Sequence, residues 1–443
     1  MENQIEKRKE ISTFTDAVTE ARRCLQCARP MCRIGCPIEN DIPQFIKALA
    51  QGNIGEASQI ISARSNLPAI CGRVCPHEQQ CEASCILTHK GAGIRIGELE
   101  KFIADLSNEL VLDSIKIAPR EGKVAVIGSG PAGITVAGDL AKMGFSVTIF
   151  ESQLEPGGVL IYGIPEFRLA NDIVRREIAK LTRLGVEIRT QIMVGEDVTI
   201  ESLLAEGYDA VFMGTGTALP KVLNLEGKEL DGITTATYFL GNVVLANEGH
   251  LAPKEIPVQK GEKVIVVGAG NVAMDAARTA IRQGAEKVSV VYRRTVKEIT
   301  ALPSEYEHAL AEGVDFCWLS EPVAFLGTDR VEDLKVEKMA INEEGKLVGT
   351  GTFEDIPVDK VLLAVGQRPA ARIVSTTAGI EVDESGYVIT RERPFGMTTR
   401  SGVFACGDVV HGPATVVLAM KEAKKVASGI ASYIEAIKLV ADL

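Results

Sequence analysis

Residues 123–133 read KVAVIGSGPAG, and residues 263–273 read KVIVVGAGNVA. In each, a short β-branched run stops at a glycine turn and gives way to a helix-like stretch. A second β-branched run follows in both cases, SVTIF (146–150) after the first and KVSVVYRR (287–294) after the second. Strand, glycine turn, helix and strand make one βαβ unit of a parallel sheet. The expected fold class is therefore α/β, with two Rossmann-like nucleotide-binding domains.

The first turn, Gly128, Ser129, Gly130, Pro131, Ala132 and Gly133, fits G-x-G-x-x-G. Its glycines admit backbone amides and a helix N-terminus to a pyrophosphate. Glu151 lies 23 residues after Gly128 at the end of the second run, where a carboxylate accepts hydrogen bonds from ribose hydroxyls. The second turn, Gly268, Gly270, Asn271, Val272 and Ala273, replaces the third glycine with alanine. Its following strand ends in Arg293 and Arg294, basic where an NAD site carries an acid. A guanidinium pair holds a 2′-phosphate bidentately, so NADP(H) is favoured over NAD(H); two solvated arginines at a strand end are the plainer alternative.

Ahead of these units lie eight of the ten cysteines, all between Cys24 and Cys85. The surrounding stretch is helix-like, as in DIPQFIKALAQGN (41–53) and IGELEKFIADLSNEL (96–110). One run is Cys24, Cys27, Cys32 and Cys36 followed by Pro37; the other is Cys71, Cys75, Cys81 and Cys85 with Pro76 after Cys75. Soft, charged thiolates match iron, and a cubane takes four of them. Structural zinc joins two separated short-spaced pairs, so quartets favour iron-sulfur clusters over zinc. In two-cluster ferredoxins the cysteine before the proline serves the other cluster, which points to interleaved quartets.

The totals bound the rest. A chain of 443 residues, 46% hydrophobic and 24% charged, accommodates two or three domains with their own cores. A net charge of −11 argues against a nucleic-acid partner. The N-terminal MENQIEKRKE has no apolar h-region, and no run of about 18 or more apolar residues occurs. A soluble cytoplasmic protein without membrane attachment is expected, in which clustered cysteines mean metal before disulfides.

Nicotinamide yields two electrons as hydride, whereas a cluster accepts one at a time, and a flavin does both. Neither nucleotide motif has a Cys-x-x-Cys or Cys-x4-Cys pair beside it, so electrons leave through the clusters rather than a redox disulfide. No side-chain nucleophile or general base is required. His77 and His411 read as turn residues, Cys317 and Trp318 as core, and Cys406 as a packed thiol.

RRCLQC (22–27), GCP (35–37), CGRVCP (71–76), IGELEKF (96–102), GSGPAG (128–133) and GIPEFRL (163–169) occur in this order. GTG (214–216), GAGNVAMD (268–275), VYRR (291–294), VGQRP (365–369) and ACGD (405–408) follow. Together they resemble the glutamate synthase small-subunit family. Its relatives are the large subunit of NADH-dependent reduced ferredoxin:NADP oxidoreductase, the flavin and cluster part of dihydropyrimidine dehydrogenase, and sulfide dehydrogenase.

The resemblance implies an N-terminal helical domain with two 4Fe-4S clusters, then glutathione-reductase-type domains in which an NADP(H) domain splits the FAD domain. The expected boundaries are 1–120, 121–250, 251–365 and 366–443. One cluster would use Cys24, Cys27, Cys32 and Cys85, the other Cys36, Cys75, Cys81 and Glu100. Glu100 borders the apolar stripe of Leu99, Phe102, Ile103 and Leu106 like a solvated charge, and Cys71 is its rival. Further FAD contacts carry over to Gly158, Gly214, Thr215, Gly216, Gly407, Asp408 and Thr415.

The implied activity is electron input: hydride from NADPH to FAD, then single electrons through the clusters to a partner subunit in a hetero-oligomer. That partner is an FMN-containing synthase-type subunit or an FAD/2Fe-2S subunit. Subunits of a flavin-based bifurcating ferredoxin:NAD(P) oxidoreductase or of dihydropyrimidine dehydrogenase share these motifs. A non-catalytic metal-binding scaffold is the alternative from another class, against which both intact glycine turns argue.

Overall fold

The structure is a computed structural model that describes residues 11–107 and 117–441. The cysteine-rich segment forms α1 (Phe14–Ala21), α2 (Met31–Gly35), α3 (Ile42–Ala50), α4 (Ile54–Arg64), α5 (Pro68–Val74) and α6 (Ile96–Leu106). Thr13 and Asn53 cap α1 and α4 by accepting from the Asp16 and Glu56 amides. Pro43 and Pro68 occupy the first turns of α3 and α5, where an amide has no helical partner to lose. Phe45, Ile46, Leu49, Ile61, Leu99 and Ile103 close a core that the Cys81 and Cys85 side chains join. On α6 the apolar stripe is uneven, because Phe102 is half-buried and Leu106 exposed. Residues 108–110 of that stretch, and the polar residues 1–10, lie outside the described residues.

The chain then runs through β1 (Lys123–Ile127), α7 (Pro131–Lys142), β2 (Ser146–Phe150), α8 (Val159–Tyr162), α9 (Asn171–Arg183), β3 (Glu187–Arg189), α10 (Ile200–Ala205) and β4 (Ala210–Met213). Next come β5 (Leu219–Pro220), β6 (Ile233–Thr235), α11 (Ala236–Asn247), β7 (Lys263–Val267), α12 (Asn271–Arg282), β8 (Lys287–Val291), α13 (Pro303–Ala311) and β9 (Asp315–Cys317). An antiparallel group follows: β10 (Ser320–Gly327), β11 (Val331–Ile341) and β12 (Leu347–Pro357). After β13 (Lys360–Leu363) and β14 (Gln367–Arg368) the chain returns through α14 (Arg372–Thr376), β15 (Thr390–Glu392), β16 (Phe395–Thr398), β17 (Val403–Ala405), α15 (Asp408–His411) and α16 (Val416–Ala441).

Two sheets repeat one design. In the first, β3-β2-β1-β4-β17 are parallel, and antiparallel β16 and β15 extend the edge. In the second, β9-β8-β7-β13-β6 are all parallel. Each glycine turn leaves its sheet where strand order reverses, between β1 and β4 and between β7 and β13, which is where open α/β sheets bind nucleotides. Their strands are near-continuous apolar runs because both faces are covered, in the second sheet by α11–α13 on one side and by β10 and β11 on the other.

The chain divides into two compact units. One holds Met1–Gly158, Arg168–Thr217 and Pro369–Leu443, and the other holds Val159–Phe167 and Ala218–Arg368. The helical segment therefore shares a unit with the first α/β part. Asn66 joins them by donating to Asp139 Oδ1 at 2.7 Å, and α5 packs on α9 and α16. The insert begins at Ala218 rather than near residue 250, because β6 pairs with β13 and α11 packs on α12. That pairing is long-range, and no local pattern announces it. No described helix is long and apolar enough to cross a membrane.

In the second unit Phe167 lies between two guanidinium groups, with Arg278 at 4.4 Å and Arg282 at 4.2 Å from its ring centre. Arg278 is buried and held by Glu305 and Glu312 at 2.8 and 2.9 Å. The short stretch Val159–Phe167 is thus anchored on α12 by stacking as well as packing. Phe167→Ala is expected to lower the stability of this unit by about 2–3 kcal/mol. Trp318 is the single tryptophan and lies in the same unit, so its fluorescence during urea unfolding measures the effect.

Candidate functional site

Two groups of acids assemble in the helical segment. Burial raises the thiols of Cys24 and Cys32, the latter to about 11, and neighbouring Cys27 and Cys85 add to both shifts. Burial likewise pushes Cys36 up to about 11 and Cys81 further, with Glu100 adding to each. Cys75 is raised by its hydrogen bond with Cys71, then by burial, then by Cys71, Glu100 and Cys81 as neighbours. The fold therefore brings Cys24, Cys27, Cys32 and Cys85 together, and Cys36, Cys75, Cys81 and Glu100 together. Cys71 stands beside Cys36 and Cys75 of the second set.

Glu100 is not a solvated helix charge. It is buried, and burial, with Glu177 adding to it, holds its carboxyl at about 8. Close helix approach puts it there: a Cβ on Gly72 of α5 would stand 2.5 Å from the Lys101 backbone nitrogen of α6. A methyl group would push α6, and Glu100 with it, away from the thiols.

Among the described residues, no three His, Cys, Asp or Glu side chains converge on a point that holds a single ion. A cubane presents four iron corners to four separate ligands, and each of the two sets offers four donors. The donor chemistry agrees, because burial and other acids raise these groups, and binding a cationic cluster core relieves that strain by releasing their protons. His77 opens a short 3-10 turn with its ring against Gly97. Burial pulls its pKa down to about 4, opposed by a hydrogen bond to the Cys71 backbone, which leaves it neutral at pH 7.

The first glycine turn is built by close approach. A Cβ on Gly133 would lie 1.9 Å from the Gly128 carbonyl oxygen, and one on Gly128 would lie 2.7 Å from that of Gly214. Gly130 and Gly158 abut, since a Cβ on Gly158 would stand 3.1 Å from Gly130 Cα. These contacts leave bare backbone where a pyrophosphate fits. Glu151 is buried and braces the turn: Oε2 accepts from Ser129 N at 2.9 Å and Oε1 from Gln153 N at 2.8 Å. The Ser129 hydroxyl in turn accepts from Gly157 N at 2.8 Å.

Gly214, Thr215 and Gly216 follow β4, and Gly407 and Asp408 follow β17, so both turns share the strand ends with the first. Gly407 has φ of +74° and donates its N–H to Glu422 Oε2 at 3.2 Å, while Asp408 Oδ1 accepts from Ala414 N at 3.3 Å. The Thr415 hydroxyl, ahead of α16, is buried without a partner. An orphaned hydroxyl at a strand-end crevice fits an absent polar ligand such as the flavin ring system. Sequence reasoning missed Ser129 and Glu422, because the former is an unlabelled position of its motif and the latter meets Gly407 only through the α16 packing.

In the second unit Gly268 takes φ of +119°, and a Cβ there would stand 2.5 Å from the Ala364 carbonyl oxygen. Gly270 precedes α12, Asn271 Oδ1 accepts from Leu302 N at 2.9 Å, Val272 is exposed and Ala273 is fully buried. Arg293 and Arg294 are exposed just past β8. Arg293 meets Glu321 at 3.3 Å, a solvated pair easily exchanged for a phosphate. Cys406 is buried and Cys317 half-buried, far apart in sequence and both free thiols.

Residues 1–111 match the family described as dihydropyrimidine dehydrogenase domain II, 4Fe-4S cluster, and residues 122–423 the pyridine nucleotide-disulphide oxidoreductases. FprA from Mycobacterium tuberculosis, solved with NADPH, shares the fold with a TM-score of 0.59 and 22% identity, over 73% of this chain and 86% of that one. Fold and site define a flavin-dependent pyridine nucleotide oxidoreductase carrying an iron-sulfur domain.

The chain is 37% identical to the glutamate synthase [NADPH] small chain of Halomonas elongata, over 95% of this chain and 91% of that one. It is 33% identical to PreT, a subunit of the NAD-dependent dihydropyrimidine dehydrogenase of Escherichia coli, over 95% and 94%. It belongs to the glutamate synthase small-subunit family.

Burial, with Glu422 adding to it, lifts the Asp408 carboxyl from 3.8 to about 6. A raised carboxyl stabilises the fold fully below its unfolded pKa and loses that contribution as pH rises through the folded value. Flavin-free protein is thus expected to lose more thermal stability between about pH 5 and 7 than flavin-free Asp408→Asn does. Coincident melting profiles for the two would contradict this.

Proposed function

We propose that this chain is the NADPH-oxidising, electron-input subunit of a hetero-oligomeric enzyme, with FAD as the hydride acceptor and two 4Fe-4S clusters as the exit. When bound, FAD supplies conversion of a two-electron hydride into single electrons, which the clusters carry. The chain's own residues position these groups. The Gly128–Gly133 turn with Glu151 would hold the FAD pyrophosphate and ribose, Asp408 the ribityl chain, and Thr415 the ring carbonyls. The Gly268–Ala273 turn would hold the NADPH pyrophosphate, with Arg293 and Arg294 on the 2′-phosphate. Cys24, Cys27, Cys32 and Cys85 would hold one cluster, and Cys36, Cys75, Cys81 and Glu100 the other.

One observation carries this reading. Met420, early in α16 and just past Thr415, brings its sulfur within 3.6 Å of Cys71 Sγ, one helical turn from Cys75. The Thr415 end of α16 and the second thiol group are thus joined through one packed contact, so a cluster held by Cys36, Cys75, Cys81 and Glu100 would be the one tied to the flavin side of the chain. The partner we assign is an FMN-bearing synthase-type subunit in the cytoplasm. Likeness to PreT favours, as a second reading, the same input role in a pyrimidine-reducing enzyme; which partner co-purifies, and whether it carries glutaminase or pyrimidine activity, separates them.

Anaerobic titration with NADPH and separately NADH is the direct test. Holoprotein is expected to contain about eight irons and one FAD and to bleach with stoichiometric NADPH. Replacing Arg293 and Arg294 together by serine is expected to raise KM for NADPH about ten- to a hundredfold, the loss of charge-assisted phosphate bonds, and to leave NADH unaffected. Equal reduction by NADH in the parent protein overturns the coenzyme assignment. Glu100→Ala is expected to remove about half the iron, whereas Cys71→Ala retains it; equal or reversed losses overturn the ligand assignment.

A further inference from the structure

The middle glycines of the two nucleotide turns, Gly130 and Gly270, stand in the same way directly ahead of α7 and α12, yet their surroundings differ. A Cβ on Gly130 would point into open space, whereas one on Gly270 would stand 3.2 Å from Thr300 Oγ1. Thr300 belongs to the connection between β8 and α13, which is strapped across the second turn. Tyr292 donates its hydroxyl to Glu298 O at 3.0 Å, and Glu298 Oε2 accepts from Thr295 N at 3.1 Å. Ala269 O then accepts from Thr300 N at 3.2 Å and from Ala301 N at 3.1 Å, and Asn271 Oδ1 accepts from Leu302 N at 2.9 Å. None of these bonds uses the Thr300 side chain. Thr300 is exposed, and its hydroxyl makes no hydrogen bond among the described residues.

We propose that Thr300 is a coenzyme-binding residue whose hydroxyl donates to a pyrophosphate oxygen of the NADPH held at the second turn. The inference rests on the reading of Gly268–Ala273 as the coenzyme turn given under the proposed function. Glycine at the middle position of such a turn lets a pyrophosphate approach the backbone. The space beside Gly270, which Thr300 Oγ1 borders, is therefore the space the anion enters. A hydroxyl with no protein partner donates there to an anionic oxygen, which makes a charge-assisted bond. Arg293 and Arg294 begin the same connection just past β8, so it carries two functions, guanidinium groups for the 2′-phosphate and a hydroxyl for the pyrophosphate. The 2′-phosphate distinguishes NADPH from NADH and the pyrophosphate is common to both, so Thr300 adds affinity without coenzyme preference.

The test is isothermal titration calorimetry of FAD-loaded holoprotein with two probes, NADP+ and adenosine 2′-monophosphate, which keeps the 2′-phosphate and lacks the pyrophosphate. Thr300→Val, similar in shape but without the hydroxyl, is expected to weaken NADP+ binding about tenfold, the loss of a bond to a charged group, and to leave adenosine 2′-monophosphate unchanged. Thr300→Ser, which restores the hydroxyl, is expected to bind NADP+ as the parent does. Backbone amides hold the strap, and neither substitution removes them. Parental NADP+ affinity in Thr300→Val overturns the proposal. Equal losses for both probes overturn it as well, because they place the hydroxyl on the 2′-phosphate side or the strap out of position. Gly270→Ala separates this outcome from the reading beneath it, since its methyl group stands in the pyrophosphate space and is expected to abolish NADP+ binding while adenosine 2′-monophosphate still binds. Full NADP+ affinity in Gly270→Ala overturns the assignment of this turn to the coenzyme, and the proposal with it. Lost affinity in Gly270→Ala with parental affinity in Thr300→Val overturns the proposal alone.

Discussion

Burial and mutual proximity raise the pKa values of Cys36, Cys75, Cys81 and Glu100, which the helical segment brings together. Their environment holds protons on groups that must be ionised to bind metal. The surrounding helices keep these acids in place. Gly72 lets α6 approach α5 to backbone contact, and Arg73 ties the same helices through Asp105 at 2.7 Å. These contacts fix α5 and α6 beside the apolar core of the segment.

The two nucleotide sites rest on a different constraint, steric rather than electrostatic. At each, a glycine at positive φ ends the first strand, and a carbonyl from the strand across the switch point lies where its Cβ would be. Bare backbone at a strand end can meet a pyrophosphate closely, and the following helix directs its N-terminus at the charge. Brace residues differ between the sites. Glu151 and Ser129 hold the first turn internally, whereas Asn271 ties the second to the Leu302 amide.

Grouping of the helical segment with the flavin part in one compact unit has a functional sense. Electron transfer falls steeply with distance, so a flavin and clusters held by one unit benefit from a shared rigid core. Asn66 and Lys424 both bond Asp139 of α7, which draws the cysteine-rich helices and α16 onto the same βαβ unit.

By itself the sequence determined both βαβ units, their glycine turns, the cysteine quartets and the break between helical and α/β segments. These are local features: periodicity, β-branched runs and spacing within a few residues. Tertiary structure alone decided that Glu100, at the border of an amphipathic stripe, is buried, because a helix pattern shows its own apolar face and not which neighbour covers the margin. It also decided that the insert starts at Ala218, through the pairing of β6 with β13 across more than a hundred residues. The contacts of Ser129 with Glu151 and of Glu422 with Gly407 belong to the same class. Each joins segments distant in sequence, and such contacts exist only after the core has closed.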